Sequence, residues 1–289
     1  DMVNSGTMTA NAGQVLDLTK AAAETATVTI ENTGTMTAAK SDAVRFGAGT
    51  IVFTISGTIQ TLDTKSRALK FDDETAIDTL VSFTLVNEEG GKIIGMDDGF
   101  KFAAKSQTSD AKITVVNHGL IDGGAGQALD FADLTSAGNV IAITNYGTLT
   151  SATADAVRPG SGATVTNYGL IQSTDLTKTG DGIDFQKAGG TVVNKTGGQI
   201  IGAKHGITGD GAVTVTNEAG ATITGKNGSG INIDSSGATL VTVTNYGTIR
   251  GEVTGLIDEE GKDSVPDGDG DGVDVDGQVL LHNYGVIQG

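Results

Sequence analysis

The sequence predicts an all-β fold, a right-handed parallel β-helix of about eleven coils with little or no helix. A phrase of the type VTNYGTI recurs along the 289 residues and is clearest at 143–149, 165–171, 243–249 and 281–287. A repeat of about 20–50 residues is typical of a solenoid. Apolar and polar residues alternate inside the repeats, as in strands with one buried face, and right-handedness follows the preference of parallel crossovers. We expect one domain over 1–289.

Each copy of the phrase contains one polar residue that precedes a turn. These residues are Asn4, Asn32, Ser56, Asn87, Asn117, Asn145, Asn167, Asn194, Asn217, Asn245 and Asn283. They lie 22–31 residues apart, except for a last step of 38, which is enough for three short strands and three turns. An inward Asn that stacks from coil to coil can bond turn backbone and neighbouring amides. The Gly two residues after most of them is expected to take a positive φ.

A second phrase follows, with the pattern small–apolar–polar–apolar, as in ALKF (68–71) and GIDF (182–185). Its last apolar position predicts an interior stack of Phe46, Phe71, Phe102, Phe131 and Phe185. Its polar residue should point outward, giving the series Asp17, Arg45, Lys70, Lys101, Asp130, Arg158, Asp184, Thr208, Asn232 and Asp274. Pro159 replaces the Phe in the shortest coil and predicts an interrupted strand there.

Composition excludes several classes of function. The net charge is −17, with 18 Lys and Arg against 35 Asp and Glu. A nucleic-acid binder needs a basic surface, so we expect no nucleic-acid partner. The chain has no Cys, which excludes disulfides and a thiol nucleophile. No apolar run approaches the length of a membrane-spanning helix, so this segment should not span a membrane.

An acidic loop interrupts the repeats at about 252–271 and should project from the rod, where loops often carry function. Its DGDGDG stretch at 267–272 has the carboxylate spacing of a calcium loop. Asp267, Asp269, Asp271 and Asp274 are therefore candidate ligands for Ca²⁺. Gln278 stands where an EF-hand has its closing Glu, which argues against that motif. The alternative is a solvated loop in which Asp-Gly pairs form turns.

Further candidates have both a structural and a functional interpretation. An Asp directly precedes the small residue of the second phrase at Asp42, Asp98, Asp155, Asp181 and Asp271, where it could cap its own turn or line a cation-binding edge. Asp pairs such as Asp155 and Asp181 could approach across coils, as glycoside cleavage requires. The three His (His118, His205 and His282) are expected to be surface substitutions. The four Tyr (Tyr146, Tyr168, Tyr246 and Tyr284) either cover turn backbone or form an aromatic strip for a glycan or a second rod.

The repeated VTNYGTI followed by GDGID resembles the passenger region of autotransporters, the type V secreted surface proteins of Gram-negative bacteria, over the whole chain. This resemblance implies a β-helix exported through the outer membrane to the cell surface, and adhesion or cell–cell aggregation. It implies a host or bacterial surface glycan or protein as partner, without enzymatic activity. The membrane β-barrel that follows such passengers is not in this sequence.

Two alternative functions remain open from the sequence. The chain begins and closes on strands without polar caps, so it is either a fragment of a longer rod or a unit that stacks on others. Self-association through these ends would make it a filament or surface-layer subunit. The other alternative is a polysaccharide lyase or hydrolase of β-helix type. A lyase of this type needs a basic residue at its site. The chain has only four Arg, and Arg45 and Arg158 already belong to the outward series, which argues against a lyase.

Overall fold

The protein is a parallel β-helix, seen in a computed structural model that describes residues 1–19, 27–47, 49–71, 80–102, 110–235, 239–253 and 270–289. These residues form 32 strands and no helix. The strands make three parallel sheets of 11, 11 and 10 strands, and each strand pairs with its equivalent in the next coil. The predicted fold class is confirmed. No described helix could cross a membrane.

One strand of each sheet comes from each coil in turn. The first sheet contains β1 (Met2–Asn4), β4 (Thr27–Asn32), β7 (Gly49–Ile55), β10 (Leu80–Asn87), β13 (Lys112–Asn117), β16 (Val140–Asn145), β19 (Ala163–Asn167), β22 (Gly190–Asn194), β25 (Val213–Asn217), β28 (Leu240–Asn245) and β31 (Gln278–Asn283). The second contains β2 (Thr7–Ala10), β5 (Thr35–Ala38), β8 (Thr58–Thr61), β11 (Lys92–Ile94), β14 (Leu120–Asp122), β17 (Thr148–Ser151), β20 (Leu170–Ser173), β23 (Gln199–Gly202), β26 (Thr222–Gly225), β29 (Thr248–Gly251) and β32 (Val286–Gln288). The third contains β3 (Leu16–Asp17), β6 (Val44–Phe46), β9 (Leu69–Phe71), β12 (Phe100–Phe102), β15 (Leu129–Asp130), β18 (Val157–Arg158), β21 (Ile183–Asp184), β24 (Ile207–Gly209), β27 (Ile231–Ile233) and β30 (Val273–Val275).

The core is a single apolar column enclosed by the three sheets. Strand β7 shows the cause, because its residues alternate strictly between buried and half-buried. The five Phe of the second phrase are all buried, as predicted. The rings of Phe71 and Phe102 stack at 5.2 Å, and those of Phe102 and Phe131 meet edge to face at 5.1 Å. Burial of such rings is the main favourable contribution to a fold of this kind.

A ladder of buried Asn side chains runs along the rod, as predicted. Eight of the ten Asn donate Nδ2–H to the Oδ1 of the Asn in the next coil, at 2.7 Å from Asn4 to Asn32 and at 2.9 Å from Asn145 to Asn167. The assignment of Ser56 to this ladder was wrong. Strand pairing places Ile55 there, opposite both Asn32 and Asn87, and its buried side chain joins the core instead.

The Gly two residues after most ladder Asn is required for a reason other than the one predicted. These Gly do not take a positive φ, whereas the turns after Asn87, Asn194 and Asn217 have a positive-φ Gly three residues on, at Gly90, Gly197 and Gly220. A Cβ at Gly147 would lie 2.1 Å from the carbonyl oxygen of Gly119 in the preceding coil, and one at Gly169 would lie 2.2 Å from that of Gly147. The close stacking of successive coils therefore excludes any side chain at this turn.

The coil between Asn145 and Asn167 is short, and its third strand, β18, ends at Arg158, directly before Pro159. The neighbouring β15 and β21 end at the equivalent Asp130 and Asp184, before a Phe, so Pro159 does not by itself account for the end of the strand. Gly160 and Gly162, with φ of 82° and 71°, then turn the chain back into the first sheet.

Candidate functional site

Half of the predicted calcium ligands can be placed. Asp267 and Asp269 lie outside the described residues, as does most of the loop at 252–271. Asp271 is exposed, and its backbone carbonyl accepts a hydrogen bond of 2.8 Å from Gly230 N–H. Asp274 lies on β30 beside Asn232 of the preceding coil. The four residues therefore remain a prediction as a calcium site.

Asp274 lines a polar cavity of about 310 Å³ on the outer face of the third sheet. The other lining residues are Asp181, Lys204, His205, Thr208, Asn232, Asp234 and Asp276. They come from successive coils, since the outward position of each strand lies next to that of its neighbour. The sequence did not predict that Asp274 would lie beside these carboxylates.

The Asp that precedes the small residue of the second phrase binds the next coil. The prediction that each caps its own turn was wrong for Asp42, Asp98, Asp155 and Asp181. In these four, Oδ1 accepts the backbone N–H one coil further on, as Asp42 does from Arg67 at 2.9 Å and Asp98 from Gln127 at 3.0 Å. Asp155 accepts in the same way from Asp181 at 2.9 Å. These carboxylates join coils together, which accounts for their recurrence.

His205 takes the place of an Asp in this column. It is 3% exposed, so the expectation of a surface residue was wrong. The backbone N–H of His205 donates to Asp181 Oδ1 at 2.8 Å, and its ring Nδ1 accepts from the backbone N–H of Ser229 at 2.9 Å. The imidazole Nδ1 thus accepts the hydrogen bond that an Asp oxygen accepts at the equivalent position of other coils. His118 and His282 are exposed, as predicted.

Three carboxylates converge on the outer face of the third sheet. One oxygen from each of Asp155, Asp181 and Asp184 lies within 4.8 Å of the others. Burial and then the charge of Asp155 raise the pKa of Asp181 well above its usual range, and the same two causes raise the pKa of Asp184. Arg158 opposes this repulsion, with Nη2 at 2.7 Å from Asp155 and Nε at 3.7 Å from Asp184.

This acidic cluster has the composition to hold a hard cation, but structural bonds already engage each member. Asp155 and Asp181 accept backbone N–H groups of the next coil at 2.9 and 2.8 Å. Asp184 accepts from the backbone N–H of Gln186 at 2.7 Å. The principal effect of the three carboxylates is thus to fix the third sheet and orient Arg158.

A second cavity, of about 330 Å³, lies beside this cluster where the short coil leaves room. Ala132 and Ala188 give it some apolar surface, and the side chains of Leu134 and Phe185 lie buried directly beneath. Its remaining lining residues are Thr135, Arg158, Gly160, Ser161, Asp184, Gln186 and Lys187. A concave apolar site with a few convergent polar groups is typical of a ligand pocket. We call it the Pro159 notch.

The four Tyr lie at the outward corner between the first and second sheets. The rings of His118 and Tyr146 stack at 4.6 Å with an interplanar angle of 4°, and Tyr146 and Tyr168 stack at 4.6 Å and 11°. Tyr246 and Tyr284 form a similar pair at 4.9 Å. Each stacked face is covered by its neighbour, so the ring edges and hydroxyls are what this strip offers to a partner.

Comparison with known proteins adds no relative. No protein family, curated protein or solved structure matches this chain. The resemblance to autotransporter passengers therefore stays a prediction, and function must be argued from the geometry above.

Proposed function

We propose that this chain is a passenger segment displayed on the surface of a Gram-negative bacterium, where it acts without catalysis in adhesion or cell–cell aggregation. The observation that carries this proposal is the rod itself. Eleven strands in register expose outward side chains at a spacing of about 4.8 Å over about 50 Å. A rigid, repetitive surface of this kind suits binding to extended partners such as surface glycans or other rods.

The acidic composition supports the same proposal. A net charge of −17 keeps a long protein soluble outside the cell and favours the uptake of divalent cations. In this proposal the acidic loop binds Ca²⁺ through Asp267, Asp269, Asp271 and Asp274.

The first experiment measures binding of the fluorescent chain to whole cells and to a glycan array, with Ca²⁺ and with a chelator. We expect saturable binding that chelation reduces. The matched variant Asp267→Asn with Asp269→Asn should behave in Ca²⁺ as the wild type behaves in chelator. Absence of binding in both conditions, together with no clumping of chain-coated beads, would remove this segment from adhesion and aggregation.

A polysaccharide-degrading activity is the second candidate, because Asp155, Asp181 and Asp184 converge beside Arg158. Carboxylates with raised pKa values can act as general acids. A panel of polysaccharides tests this activity through new reducing or unsaturated ends. Products that disappear in Asp181→Asn would favour the enzyme over the adhesin.

A further inference from the structure

The Pro159 notch is a consequence of unequal coil lengths. The coil that contains Pro159 spans 22 residues between ladder Asn, whereas the preceding coil spans 28. Lining residues come from the coil before it, Ala132 to Thr135, and from the coil after it, Asp184 to Ala188. The short coil therefore leaves a gap between two longer neighbours. At about 330 Å³, the gap is at the small end of ligand pockets and suits a single ring.

The polar wall of the notch is held in place by bonds within the protein. Gln186 donates to both oxygens of Asp184, from its backbone N–H at 2.7 Å and from Nε2 at 2.6 Å. Gln186 itself has a left-handed backbone, with a φ of 55°. A residue other than Gly in this conformation is strained and is often found at binding sites. Asp184 is thus fixed as an acceptor beside the Arg158 guanidinium.

Lys187 follows this left-handed residue at the rim of the notch. Its side chain is exposed, and no carboxylate within the described ranges forms an ion pair with it. Lys178 itself has a left-handed backbone, with a φ of 62°, but it does not line the cavity. Lys187 is therefore an available cation on a rim whose other charges, Arg158 and Asp184, face each other.

Together these groups specify the chemistry of an occupant. The methyl groups of Ala132 and Ala188, which lie above the buried Leu134 and Phe185, suit the C–H face of a pyranose ring. Asp184 and Arg158 can bond its hydroxyls, and the Lys187 ammonium adds a charge-assisted bond to a carboxylate on the ring.

Salt screens charges beyond about 8 Å, so the charges nearest the notch matter most. Three carboxylates lie there. Asp155 and Asp184 pair with Arg158, and burial raises the pKa of Asp181, which lowers its negative charge. Lys187 is then the nearby cation without an ion-pair partner among the described residues.

We propose that the Pro159 notch binds a hexuronate, an acidic pyranose unit of a surface glycan. This inference deepens the proposed adhesive function and rests on it for the source of the ligand. It adds a specific subsite to a rod whose other surfaces are repetitive.

The test titrates the whole chain with D-galacturonate and D-glucuronate, and with D-galactose and D-glucose as neutral counterparts, using saturation-transfer NMR and calorimetry. We expect both acids to bind more tightly than the neutral sugars. Lys187→Met should weaken acid binding about tenfold, whereas Lys178→Met, the matched control, should leave it unchanged. Ala188→Leu should block the notch and abolish binding of all four sugars, with the thermal unfolding midpoint as a check on folding.

Three results would overturn the proposal. They are no sugar binding to the wild-type chain, equal affinity for acidic and neutral sugars, and acid binding that survives Lys187→Met. A parallel measurement of binding to cells distinguishes failure of the notch proposal from failure of the proposed adhesive function. If the chain adheres to cells but binds no hexuronate, the adhesin stands without the notch. If it binds hexuronate but no cells, the notch stands and adhesion fails.

Discussion

Replacing Asn145 with Ile should lower the free energy of unfolding by about 1 kcal/mol. Asn145 Nδ2 donates to Gly147 O at 3.2 Å, Leu170 O at 3.1 Å and Asn167 Oδ1 at 2.9 Å, and its Oδ1 accepts from Asn117 at 2.8 Å. The two hydrogens of Nδ2 share three acceptors, so the side chain makes about three full hydrogen bonds, which contribute about 1.5–4.5 kcal/mol. Burial of the Ile side chain returns about 1.5–3 kcal/mol. The midpoints of the two ranges leave a net loss of about 1 kcal/mol.

Urea denaturation measures this loss, and native-state hydrogen exchange localises it. The most informative amide is Tyr168 N–H, which bonds to the Asn145 carbonyl at 2.7 Å, because a solenoid can open locally. Thr144→Ile makes a similar apolar change one residue away, on the outer face of β16. It should alter stability by less than about 0.5 kcal/mol. If Asn145→Ile is as stable as this control, the ladder does not stabilise the rod in the way argued here.

Three further predictions concern the same column, the acidic cluster and the core. Ile55→Asn should change the unfolding free energy by less than about 1 kcal/mol although it removes a buried Ile, because the new amide can donate to Asn87 Oδ1, a buried acceptor without a partner among the described residues; a urea-measured loss above about 2 kcal/mol would contradict this. Folding raises the pKa of Asp181 above 3.8, so the native chain retains a proton that the unfolded chain releases, and stability should fall as pH rises from 3.8 through the raised pKa. Asp181→Asn keeps the acceptor for the backbone N–H of His205 and should remove this part of the slope in urea titrations from about pH 4 upward, and an unchanged slope would count against it. Phe102→Ala should cost about 3–5 kcal/mol by the same denaturation assay, since its ring is fully buried, and a loss below about 1 kcal/mol would mean that the core collapses around the gap.

The fold could be predicted because each strand carries the same signals as its neighbours. An inward Ile or Val, an outward Thr and a ladder Asn recur in β19, β25 and β28, and parallel stacking places them in files. Local alternation and the repeat length were sufficient for three sheets and for the Asn column. The Phe stack followed from the same reasoning, since equivalent positions of adjacent coils must lie one above another.

The exceptions depend on contacts between coils, which a single repeat does not encode. Ser56 resembles Asn in polarity, but the pairing of the whole of β7 fixes Ile55 in the ladder. Burial of His205 follows from its place in a column of acceptors, and its position directly before Gly206 was the available signal. The need for Gly147 arises from the preceding coil rather than from its own φ.

The candidate site was predicted only in part. Pro159 and the short coil were visible in the sequence, but the notch depends on what the two neighbouring coils place around it. Likewise, the pair of Asp155 and Asp181 was identified as able to approach, whereas the addition of Asp184 and the bonds that engage all three required the register of β18 and β21.

The Asn ladder also gives the rod an electrical direction. Every amide from Asn87 to Asn245 donates toward the later coil, so the side-chain dipoles align head to tail, as peptide dipoles do in an α-helix. Bonds in such a chain polarise one another, by about 10–30% each. Asn87 Oδ1, which has no partner among the described residues, lies at the negative end of this row of amides. Ile55 therefore divides the column into a short run of aligned dipoles, Asn4 and Asn32, and a long run that begins at Asn87.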